Sequence, residues 1–190
     1  PLAHGIIAES LARRVERESL DAGEAQSILA RITDTDDLAT VGKADLVIEA
    51  AVEDESVKTA ILKELTAHLG ADTLVASNTS SISITRLASA TDRPDRFIGL
   101  HFMKPAPAMR LVELIRGIAT SEATYQAAVE FAESLGKTTT NAEDFPAFIV
   151  NRILVPMINE AIYTLYEGVG GVASIDKALK LGANHPMGPL

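Results

Sequence analysis

Two rhythms of apolar residues alternate along the chain: helical spacing of three and four, and short unbroken apolar runs. The helical spacing predicts a helix from Leu2 to Arg17, with Ile6, Ile7, Leu11 and Val15 on one face against a charged one. Asp21 followed by Glu24 reads as a capping box opening a second helix through Ile32. The run Asp45-Leu-Val-Ile-Glu-Ala-Ala51 predicts a strand buried on both faces, as in a parallel sheet. Helical spacing returns from Glu55 to Leu69, with Gly70 as its stop. Thr73 to Ser77, Phe97 to His101 and Leu111 to Leu114 read as further strands, and Ser83 to Ala90 as a short helix. Ser121 caps a helix predicted to end at Leu135, with Gly136 where a left-handed residue is wanted. Strands alternating with helices indicate an α/β domain with a largely parallel sheet.

The rhythm changes after Thr140, and no strand is expected beyond residue 141. Ala147 to Glu167 reads as one long helix with Pro156 inside it and kinking it. A Val169-Gly-Gly-Val loop follows, then a helix capped by Ser174 and stopped at Gly182. The division expected is therefore an α/β domain over residues 1–144 and a helical one over 145–190. The chain enters a helix with no strand before it and stops in mid-loop after Asn184-His-Pro-Met-Gly-Pro-Leu190. It therefore reads as a fragment of a longer protein.

Composition narrows the function classes. Hydrophobic residues make up 47% of the 190, enough for a core. No apolar run reaches the roughly 18 residues that cross a bilayer, no signal-peptide pattern opens the chain, and a cytoplasmic protein is expected. There is no cysteine, so disulfides and thiolate metal sites are excluded, and no metal is expected. The formal net charge of −9 disfavours nucleic-acid partners. Anionic ligands would have to be met by local cations or helix N-termini.

The most informative chemistry lies in Gly99-Leu-His-Phe-Met-Lys-Pro-Ala-Pro107 and Leu111-Val-Glu-Leu114. His101 at the carboxyl end of a buried strand stands where open α/β sheets place their ligand crevices, and its imidazole exchanges protons near neutral pH. Glu113 sits among apolar Leu111, Val112 and Leu114 and needs a partner, because an isolated buried charge is costly. His101 is the nearest in sequence, and the pair would form a base held by an orienting acid. A structural histidine with Glu113 solvated at a sheet edge fits the same spacing, which leaves both readings open. The cluster Ser77-Asn-Thr-Ser-Ser81 after a strand can cap a helix, bind a substrate oxygen, or both. Glu53 with Lys58 reads either as a site pair or as a helix-N-terminal glutamate favoured by the dipole. Asn151 is polar among Phe148, Ile149, Val150 and Ile153, and needs a partner if buried.

Taken together and in order, Leu46-Val-Ile-Glu-Ala, Ser77-Asn-Thr-Ser-Ser81, Leu100-His-Phe-Met-x-Pro-x-Pro107, Leu111-Val-Glu113, Phe148-Ile-Val-Asn-Arg152 and Asn184-His-Pro-Met-Gly-Pro189 resemble the 3-hydroxyacyl-coenzyme A dehydrogenases, over essentially the whole chain. The bacterial 3-hydroxybutyryl-coenzyme A enzymes look nearest. The resemblance implies a Rossmann-type domain, here without its first strand–turn–helix unit, followed by part of an all-α dimerisation domain. It implies reversible hydride transfer between NAD and C3 of a 3-hydroxyacyl-CoA, and a homodimer formed through the helical domain. Carried onto this chain, His101 is the base, Glu113 its orienting partner, Ser80 a hydrogen-bond donor to the reacting oxygen near the nicotinamide, and Asn151 a further polar contact. Glu53, Lys58, Ser80 and Lys104 match positions that contact the cofactor.

Two departures stand out. The family's Gly-x-Gly-x-x-Gly turn belongs ahead of Pro1, so the 190 residues alone are expected to bind NAD weakly or not at all and to be inactive. Lys104 stands where the family commonly has asparagine; a flexible ammonium donates but cannot accept, so altered substrate preference or lower turnover is expected. The alternative is a non-catalytic relative with a structural or binding role. A 6-phosphogluconate or short hydroxyacid dehydrogenase ranks last, since Lys177 and Lys180 lack the context of a catalytic lysine.

Overall fold

The computed structural model describes residues 2–190. The chain forms two compact units, residues 1–42 and 43–190. In the first, α1 (Leu2–Glu16) packs on α2 (Ala22–Ala30), burying Leu11 and Ala25. Asp21 caps α2, accepting from the N–H groups of Gly23 and Glu24.

The second unit is built on a sheet of five strands among the described residues: β1 (Leu46–Glu49), β2 (Leu74–Ser77), β3 (Phe97–Phe102), β4 (Leu111–Arg116) and β5 (Thr138–Glu143). They lie side by side in chain order; β1–β2, β2–β3 and β4–β5 are parallel, and β3–β4 is antiparallel. The helices are α3 (Glu55–Thr66), α4 (Ile84–Ala88), α5 (Glu122–Ser134), α6 (Val150–Tyr166) and α7 (Val172–Gly182). Ala76, Ile98, Leu100, Val112, Leu114 and Ala128 form a buried cluster between sheet and α5, because the inward positions of three strands meet one helix face. No described helix is long and apolar enough to cross a membrane.

Several expectations need correction. The strand at 46–49 is not buried on both faces: Ile48 is 36% exposed. It is an outer strand of the described sheet, with β2 as its pairing neighbour. A fifth strand was not expected at Thr138-Thr-Thr-Asn-Ala-Glu143, where only Ala142 is buried. Three threonines there supply β-branched backbone preference without an apolar signal, and pairing along β4 does the rest. The long helix begins at Val150 rather than Ala147, since Ala147 and Phe148 have φ of 66° and 54°. It then continues unbroken through Pro156. Ser174 does not cap the last helix; Gly171 holds that position, and Ser174 lies within the first turn of α7.

Gly99 lies where β3 crosses close to α4 and β4. A Cβ there would stand 2.8 Å from Ile115 Cβ and 2.9 Å from Ile84 Cδ1, closer than real contacts allow. Overpacking of this kind costs about 1–3 kcal/mol, so Gly99→Ala is expected to lower the unfolding free energy by that amount, read from the midpoint and slope of a urea titration.

Asp144 ties the end of β5 to α4, accepting from the Ile84 and Thr85 N–H groups and the Ser83 hydroxyl at 2.7–2.8 Å. Burial alone would raise its pKa, but the hydrogen bonds from Thr85, Ser83 and Ile84 outweigh that and hold it below the ordinary aspartate value. A depressed folded-state pKa contributes stability above the unfolded value that is lost as pH falls through the folded one. Asp144→Asn is therefore expected to be less stable than the parent at about pH 7, with the difference shrinking towards about pH 3 in urea titrations.

Candidate active site

The carboxyl ends of β1, β2 and β3 and the start of α6 bring the chemical residues together. His101 and Glu113 are directly paired in the antiparallel register of β3 and β4. His101 Nδ1 lies 2.7 Å from Glu113 Oε2, with the two residues 5% and 0% exposed. A carboxylate without a proton can only accept, so Nδ1 carries the hydrogen and Nε2 is left with the lone pair in the neutral ring. Ser80 Oγ is 3.1 Å from that Nε2, and its hydroxyl can donate to it. The reading of His101 as a structural histidine bound to a backbone carbonyl, with Glu113 solvated, is excluded by these contacts.

Glu113 has a second role that its own strand does not reveal. Its Oε1 accepts from the N–H groups of Ile149 at 3.1 Å and Val150 at 2.9 Å. The first turn of α6 has no side-chain cap of its own, so the buried carboxylate meets its orphan donors and the positive end of its dipole. The left-handed pair Ala147–Phe148 turns the chain to make this possible. It also sets the Phe148 ring edge-on to His101, centroids 5.5 Å apart. Residues in this conformation are uncommon outside glycine and concentrate at sites the surrounding structure holds in place. Asn151, half-buried in the same first turn, makes no side-chain hydrogen bond among the described residues.

Ser80 is held by its loop. Glu53 Oε1 accepts from Thr79 Oγ1 at 2.5 Å, from the N–H groups of Ser80 and Ser81 at 2.8 and 3.1 Å, and from Ser81 Oγ at 3.1 Å. Burial would raise the Glu53 pKa, but these hydrogen bonds and the Lys58 charge outweigh it and keep the carboxyl below its ordinary value. Glu53 is not the helix-N-terminal residue of α3; Asp54 is, accepting from the Val57 N–H at 3.0 Å. Asn78 Oδ1 accepts from the Phe102 N–H and locks the ends of β2 and β3 together.

Lys58 is only 1% exposed, and its ammonium is spent on both Glu49 oxygens and the Ala51 carbonyl. Its donors are thus engaged within the chain rather than presented at the surface. Glu49 itself was not singled out from sequence. One acid in an apolar run was the available signal, since a strand-buried carboxylate must have a partner. Lys104 is exposed on the loop after β3, and Lys177 and Lys180 are exposed on α7.

Residues 2–145 match the family described as "3-hydroxyacyl-CoA dehydrogenase, NAD binding domain", and residues 148–190 match "3-hydroxyacyl-CoA dehydrogenase, C-terminal domain". Over 181 residues the chain is 61% identical to a 3-hydroxybutyryl-CoA dehydrogenase of Bradyrhizobium diazoefficiens, covering 95% of this chain and 62% of that one. It is 49% identical over 182 residues to a probable 3-hydroxybutyryl-CoA dehydrogenase of Bacillus subtilis, covering 96% and 63%. Among solved structures, the (S)-3-hydroxybutyryl-CoA dehydrogenase of Ralstonia eutropha superposes with a TM-score of 0.94 at 48% identity, covering 96% of this chain and 65% of that one. The chain thus spans 62–63% of the length of these two curated relatives.

Proposed function

The chain belongs to the 3-hydroxyacyl-CoA dehydrogenase family, and from that premise we propose that the whole protein oxidises a 3-hydroxyacyl-CoA reversibly to the 3-ketoacyl-CoA with NAD. A four-carbon acyl chain is the first candidate, as the names of its relatives suggest. The observation that carries the reading is the array Glu113–His101–Ser80 at the carboxyl ends of the strands.

In this reading His101 Nε2, kept as an acceptor by the hydrogen bond at Nδ1, removes the proton of the 3-hydroxyl. Glu113 holds the ring and balances the charge it gains. The Ser80 hydroxyl, placed beside the same nitrogen, hydrogen-bonds the reacting oxygen. Asn151 offers a donor and an acceptor, on a helix anchored by the carboxylate that orients the base. The chemistry supplied by bound NAD is acceptance of the hydride from C3. The residues present suit that cofactor in part. Glu53 Oε2 keeps acceptor capacity, with only a 3.5 Å contact to Lys58 and a side chain 41% exposed, so it can take a hydroxyl of the cofactor. Lys104 offers a mobile cation to a carboxylate or thioester oxygen. Lys58 acts through its carboxylate partners.

A homodimer through the helical region belongs to the same reading. Ile153, Val155, Ile162 and Tyr166 of α6 are 51–84% exposed, an apolar surface that a second copy would cover. The test of function is acetoacetyl-CoA-dependent NADH oxidation by the protein from the complete reading frame. Steady turnover supports the proposal. A folded protein without turnover would instead be a non-catalytic relative.

A further inference from the structure

We propose that Glu49 is a positioning residue for Ser80, acting through Lys58, Glu53 and Ser77; this rests on the roles given above to Ser80 and His101. Glu49 ends β1, 5% exposed, beside Ser77 at the end of β2 in the parallel register. Its Oε1 accepts from the Ala51 N–H at 2.6 Å and from Lys58 Nζ at 2.8 Å. Its Oε2 accepts from Ser77 Oγ at 2.6 Å and from Lys58 Nζ at 3.1 Å.

Two routes lead from this carboxylate to the loop bearing Ser80. Along the first, Ser77 Oγ accepts from the Thr79 N–H at 3.3 Å, one residue before Ser80. Along the second, the Lys58 ammonium that Glu49 fixes stands 3.5 Å from Glu53 Oε2. The other oxygen of Glu53 gathers four donors from residues 79–81, the Ser80 N–H included. The first route ends one residue before Ser80 and the second on its own N–H; the Ser80 hydroxyl meets His101 Nε2. A buried ion pair is often no more stable than apolar residues of the same volume, so stability alone does not account for this one. Its geometric output is the position of one hydroxyl.

The test uses the full-length protein as wild type, Glu49→Gln, Ser80→Ala and the double variant. Two readouts are steady-state kinetics and the nitrogen-15 resonances of the His101 ring, assigned by their loss in His101→Ala. Glu49→Gln is expected to lower kcat on the order of tenfold, the scale of a small misplacement at a reacting centre, with KM for the acyl-CoA little changed. It is expected to move the Nε2 resonance in the same direction as Ser80→Ala, and to add nothing further when Ser80 is already alanine. Should Glu49→Gln fail to fold because Lys58 is left uncompensated, Glu49→Gln with Lys58→Met removes both charges and carries the same expectations. An unmoved resonance, or effects that add fully in the double variant, would overturn the proposal. Turnover without that coupling defeats this inference and spares the dehydrogenase reading. The coupling in a protein without turnover upholds the inference and defeats the reading.

Discussion

His101→Ala in the full-length protein is expected to lower kcat about 10²- to 10⁴-fold, the range that a positioned general base contributes. The fold should survive at a cost of about 1–3 kcal/mol, because Glu113 Oε2, in a residue 0% exposed, loses its partner, while the apolar cluster under α5 is untouched. Glu113 would keep its two α6 donors. KM for the acyl-CoA should change far less than kcat, since the base acts on the proton in flight rather than on the bound thioester. The check is steady-state acetoacetyl-CoA reduction beside a urea titration of both proteins. Loss of kcat in a protein that the titration shows to be still folded under assay conditions assigns the effect to chemistry. An unchanged kcat would remove His101 from the mechanism.

Glu113→Ala is expected to be costly in both activity and stability. The substitution strips a partner from three donors at once: the buried His101 Nδ1 and the part-buried N–H groups of Ile149 and Val150. Unmade buried hydrogen bonds cost about 1–3 kcal/mol each and do not simply add, so a loss of about 3–5 kcal/mol is expected. Part of it would appear as loosening of the first turn of α6, visible as faster amide exchange at residues 149–150. Glu113→Gln separates the two roles. It preserves shape but exchanges an acceptor for a donor, so either the imidazole tautomer or the α6 turn must give way. A kcat loss on the order of 10²-fold or more with a smaller stability loss is the expected pattern. A Glu113→Gln protein with parental kcat would show that the orienting hydrogen bond is dispensable.

The division of labour between sequence and tertiary structure is plain in particular residues. The hydrophobic pattern was enough to place β2 and β3, whose runs are mostly buried, and α3 and α5, each opened by a capping side chain, although α3 ends at Thr66, short of the expected Leu69. Asp21 and Ser121 act as the caps their types and positions required. Gly136, at φ 70°, takes the left-handed stop expected after α5. The demand that a carboxylate among Leu111, Val112 and Leu114 must be partnered also followed from the sequence, and so did the nearest candidate.

What the pattern could not decide was anything set by distant partners. Thr138–Glu143 becomes a strand only because β4 offers an edge to pair with. Ala147 and Phe148 leave helical geometry because the backbone donors behind them are drawn to Glu113, from 36 and 37 residues earlier in the chain. Lys58 and Glu49, nine residues apart, meet only once α3 folds back over the end of β1. By itself the sequence determined the alternation of elements and which polar residues had to be satisfied. Tertiary structure decided who satisfies them, because hydrogen bonds between buried groups depend on distances of tenths of an ångström that no local periodicity encodes.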